Sequence, residues 1–124
     1  MPFTEATAHK ILNKILKNTD FTHPTGIRVS LHTDDPGATG ANEVAGGDYE
    51  RKEPTLGGPA AKVIANSDAM EWENMPACTV EYVGLWDTEA TPNFWWGGAL
   101  TVSKTLGAGD TFRLAVGALT VTLT

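Results

Sequence analysis

The chain has 124 residues, enough for one domain and one core that buries roughly two-thirds of its unfolded surface. Apolar residues at 41%, charged residues at only 19% and 13 glycines point to neutral strands joined by many turns. A net charge of -6 speaks against a nucleic-acid partner, which needs clustered Lys and Arg, and no apolar run approaches the ~20 residues of a membrane span.

The first element is a helix over about residues 5–17. Thr4 is a capping residue, and Glu5 sits in the first turn, where the helix dipole favours an anion. Ala8, Ile11, Leu12, Ile15 and Leu16 then recur at helical spacing, with Lys10, Lys14 and Lys17 off that stripe. A helix this short is marginal alone, so its stripe has to dock on its own sheet or on a neighbouring subunit.

From Ile27 the period changes to two. Ile27, Val29 and Leu31 alternate with Arg28, Ser30 and His32, predicting a half-buried strand with His32 on its polar face. Beyond it, Asp34-Asp35-Pro36-Gly37 is turn chemistry, and Gly40, Gly46, Gly47 and the Pro54–Pro59 stretch extend a long, unpatterned connection. Short strands are expected at Lys62–Ala65 and Met70–Trp72. Better ones follow at Thr79–Trp86, Phe94–Val102, Thr111–Leu114 and Leu119–Leu123. The expected fold is all-β: an antiparallel sandwich or jelly-roll-like domain over about residues 26–124, behind one amphipathic helix.

Four constellations invite chemistry. Asp34, Asp35 and Glu43 suggest a cation site, but an EF-hand reading started at Asp34 places Thr39 where Gly belongs and Ala45 where Glu belongs. An Asx-type turn in a glycine-shaped loop is the better reading. Glu71 and Glu73 share a strand face as a carboxylate pair would, with no groove implied between them. His9, His23 and His32 lie on three separate elements, and GxSxG, HExxH and phosphate-loop motifs are absent. The lone Cys78, among small and β-branched neighbours, reads as a buried filler. These readings predict no enzyme, no cofactor and no metal. Trp95-Trp96 is the fourth: one ring faces the core and the other faces outward, at a subunit interface or as a platform for a host carbohydrate.

In order along the chain stand L-x-T-x-D-P-G from Leu31, N-E-x-x-G-G-x-Y-x-R from Asn42, G-A-L-T-x-S-K-T from Gly98, G-D-T from Gly109 and L-T-V-T-L from Leu119. Together with the N-terminal helix, this layout resembles small virion proteins of tailed bacteriophages, usually labelled tail-fibre or minor tail proteins. The resemblance weakens between about Glu53 and Ala77. It implies a non-enzymatic structural protein of the virion, a capsid decoration protein or a minor tail or fibre component, with major capsid or tail proteins as partners and a homo-oligomer left open. It carries no catalytic residues. A virion protein that folds in the host cytoplasm also agrees with a single free cysteine and with an N-terminus lacking an export signal. Expected contact residues are Ile11, Leu12 and Ile15 on the helix, Asp34, Asp35, Pro36, Gly37 and Tyr49 in the long loop, and Trp95 and Trp96.

Overall fold

A computed structural model describes residues 3–123. Helix α1 (Glu5–Lys17) starts where Thr4 Oγ1 accepts the Thr7 N–H and ends at Asn18, whose left-handed backbone turns its N–H back to the Asn13 carbonyl. The strands that follow are β1 (Ile27–His32), β2 (Val63–Ala65), β3 (Met70–Trp72), β4 (Cys78–Asp87), β5 (Phe94–Leu106), β6 (Phe112–Leu114) and β7 (Thr120–Thr122). All pairing between them is antiparallel, as the all-β reading expected, and it is divided among three sheets: β1-β4-β5, β2-β7 and β3-β6.

One core unites the three sheets. Val29 and Leu31 from β1, Val80, Val83 and Leu85 from β4, and Trp96 from β5 meet Trp72, Phe112, Leu114 and Val121 from the two smaller sheets. Trp72 seals this cluster: its indole N–H reaches the Glu50 carbonyl at 2.9 Å, and its ring tilts against Phe112. Asn66 is buried in the turn before β3. Its side-chain oxygen accepts the Leu119 N–H, and its amide group donates to the Asp68 and Ala115 carbonyls, which ties β2 and β3 to the C-terminal strands.

The long connection after β1 does not wander over the surface. It is laid along the outer edge of β1, exchanging backbone bonds between Val29 and Lys52 (2.7 and 3.1 Å) and adding Thr33 N–H to Asn42 and Val44 N–H to Leu31. The segment therefore covers a sheet edge that would otherwise present unpaired backbone groups. Its own Pro36 and Val44 are buried.

Candidate functional site

Backbone geometry accounts for the acids and glycines after β1. Asp34 Oδ1 accepts the Asp35 N–H and Asp35 Oδ1 accepts the Gly37 N–H, both at 2.8 Å, so both exposed carboxylates organise their own turn. Gly40 has φ of +77°, and a Cβ there would lie 2.3 Å from the Trp86 ring. Gly47 has φ of +54°, and a Cβ there would lie 2.5 Å from the Asn74 carbonyl oxygen. Both positions need the left-handed region and the missing side chain at once.

Glu43 is separated in role from the two aspartates. Arg51 holds it in a two-pronged ion pair (Nε at 2.9 Å, Nη2 at 2.8 Å), and the Tyr49 hydroxyl donates to Oε2 at 2.7 Å. The same hydroxyl accepts the Leu31 N–H at 2.9 Å, and the Arg51 guanidinium stacks 3.7 Å from the centroid of Trp86. The N-E-x-x-G-G-x-Y-x-R run is thus the sequence form of a network clamping the loop to β1. Burial pushes the Glu43 carboxyl up, but the bonds from Arg51 and Tyr49 outweigh it and hold the group below the ordinary carboxylate range. Burial, then the Glu43 carboxylate, push the Tyr49 phenol well above its ordinary value.

His32 departs from its expected place. It does share the strand face of Arg28 and Ser30, but the returning loop, with Phe94 and Trp86, buries Ser30 and His32 and leaves only Arg28 exposed. The Ala41 carbonyl 2.7 Å from Nδ1 can only accept, so Nδ1 carries the proton and Nε2 accepts the Ser30 hydroxyl at 2.6 Å. Ser30 Oγ in turn accepts the Trp86 indole N–H at 2.9 Å. A Ser–His pair at this distance resembles an activated nucleophile, yet the hydroxyl is enclosed within the fold. This relay was not foreseen from the sequence, although residues two apart on a strand share a face.

Because burial keeps the His32 imidazole below its ordinary value, the unfolded chain binds more protons than the folded one as pH falls through about 6.5. Stability is therefore complete above that pH and declines below it, and Glu43 and Asp87, both held low by hydrogen bonds, add a further loss below about pH 4.5. Urea midpoints should be flat from about pH 8 to about pH 7 and fall towards about pH 5. A midpoint that rises over that acid range contradicts a neutral His32.

Of the paired tryptophans, Trp95 departs as well. Trp96 is 5% exposed in the core, and Trp95, on the opposite face, is only 9% exposed because the first turn of α1 covers it. Thr4 N–H and the Thr7 hydroxyl both donate to the Trp95 carbonyl, and Lys10 Nζ lies 4.5 Å from the Trp95 ring centroid. The Trp95 indole N–H donates to Asp87, a buried carboxylate that also accepts from the Asn93 backbone and side chain. Neither ring forms the exposed platform expected for a carbohydrate. Pro36 is buried, and the Tyr49 hydroxyl is engaged within the chain.

What remains open is the far half of the helix. Ile11 faces an apolar cleft of about 260 Å³ with Phe21, Ile27 and Trp95. Beyond it Leu12, Ile15 and Leu16 are 54%, 70% and 74% exposed, and only Thr7 of the helix is buried. The stripe that had to dock on a sheet or on a neighbour is held as far as Ile11 and lies open beyond it.

A family model described as podophage GP4 fiber I protein gp80 matches residues 2–122. The chain belongs to this podophage fibre protein family. It is a structural fibre component of a phage virion and associates with other virion components. No curated protein matches it. In this fibre protein the ordered motifs from Leu31 to Arg51 build the clamp over β1, while the helix presents the apolar surface.

Proposed function

We propose that this fibre protein is a non-enzymatic building block that docks on neighbouring virion subunits through the exposed half of α1. The carrying observation is the stripe of Leu12, Ile15 and Leu16, left open on a helix whose first turn is firmly held. Burying each of these side chains contributes on the order of 1.5 kcal/mol or more towards docking, to which the rest of the contact adds. Lys14, paired with the exposed Asp20, and Lys17 flank the stripe and favour a neighbour with an acidic rim. The family match favours a place on the fibre over one on the capsid shell. Host-glycan binding through Trp95 or Trp96 is the weaker reading, because both rings are covered.

The test is a pair of exposed substitutions, Leu12→Gln and Ile15→Gln, which preserve helix propensity. The isolated double variant should keep its stability within about 0.5 kcal/mol. Phage complemented with it should lose the subunit from purified particles. Normal incorporation of a folded double variant overturns the proposal.

A further inference from the structure

The cleft between β5 and β6 points to a second docking surface of a different kind. Strands joined by a short turn usually pair with each other. Here the turn after Leu106 is fixed, with Gly107 N–H donating to Asp110 Oδ2 at 2.7 Å and Met75 N–H donating to the Asp110 carbonyl at 2.9 Å. Yet β6 pairs with β3 and β5 with β4, so the two strands splay and leave a cleft of about 650 Å³.

The β5 wall of this cleft lacks partners twice over. Val80 of β4 pairs with Lys104 and Tyr82 with Ala99, so Leu100–Ser103 bulge out of register opposite Glu81 alone. On its outer side, β5 is the edge of its sheet. Among the described residues, the pairing there is confined to its start, where Phe3 bridges Trp96 and Thr4 donates to Trp95. The loop covers the β1 edge and the N-terminal segment covers the start of β5, while Thr101, Val102 and Ser103 stay exposed, Val102 at 78%.

Charge narrows what fits. The charged side chains lining the cleft are Lys104 and Arg113, both basic, in a chain of net charge -6. Arg113 leans on Glu71 at 3.6 Å, while Lys104 has no ion-pair partner among the described residues. We propose that this cleft accepts an extended, carboxylate-bearing segment of a partner protein, which adds as a strand along Leu100–Lys104 and sets its acids against Lys104 and Arg113.

The probe is a fluorescein-labelled peptide, Thr-Val-Glu-Val-Glu-Val-Thr with blocked ends, titrated into the full chain by anisotropy. A twin peptide with Lys for Glu serves as control. Saturable binding of the acidic peptide is expected, weakened about fivefold by Lys104→Glu at an exposed site. The backbone amides of Leu100–Lys104 should exchange more slowly in the complex. Absence of saturable binding below about 1 mM, equal binding of the two peptides, or binding without slowed exchange in that segment overturns the proposal. So does a dimer of the chain alone that protects Leu100–Lys104, because the occupant is then a second copy.

Discussion

Replacing Glu43 with Ala should destabilise the protein by about 3 kcal/mol and lower its melting temperature by roughly 10 °C. The carboxylate accepts three hydrogen bonds, two from Arg51 and one from Tyr49. Its removal strands a guanidinium that stacks on Trp86 and a phenol that is partly buried. The cost is thus mainly that of leaving polar groups without partners, which exceeds the net worth of a surface ion pair. Arg51→Ala should cost a comparable amount, and the double variant less than the sum, because each single change orphans the other group. Thermal unfolding by circular dichroism measures all three. A loss under about 1 kcal/mol for Glu43→Ala would show that the loop is held by its backbone bonds alone.

The second large effect is at Gly40. Alanine there meets two penalties, a left-handed backbone worth about 1–2 kcal/mol and a Cβ driven into the Trp86 ring worth about 1–3 kcal/mol. The ring is not free to swing aside. Arg51 stacks on it, its indole N–H is held by Ser30, and Phe94 packs at a centroid distance of 5.1 Å. Gly40→Ala should therefore lower stability by about 3 kcal/mol and also disturb His32, with a shifted imidazole resonance as its signature. Gly58→Ala is the control, since its Cβ would meet nothing within 4 Å and its φ is not positive. Equal stability of the two variants would refute the packing argument.

Much of the architecture was legible because local signals agreed. Capping by Thr4 and a 3.6-residue stripe placed α1, and period-two alternation placed β1 and the C-terminal strand to within a residue or two. Pairing was less accessible. β2 joins β7 and β3 joins β6 across long stretches of chain, and strands as short as Val63–Ala65 carry too little pattern to choose a partner. His32 and Trp95 show a shared limit. Alternation correctly assigned their faces, but whether a face meets solvent depends on what folds over it, here the returning loop for one and the first turn of α1 for the other. The N-E-x-x-G-G-x-Y-x-R spacing contains the Glu43–Tyr49–Arg51 network, yet Tyr49 reads from sequence as a partner contact, whereas its hydroxyl is bonded to Leu31 and Glu43 within the chain.

Amide hydrogen exchange on α1, compared between the free protein and the intact particle, tests the central claim most directly. The amides near Thr7 should be protected in both states, since that turn is tied to Trp95. Those from Leu12 to Lys17 should exchange quickly in the free chain and slow by roughly tenfold or more in the virion, as an apolar face passes from water to a neighbouring subunit. Equal exchange of that half-helix in both states would mean that nothing docks there.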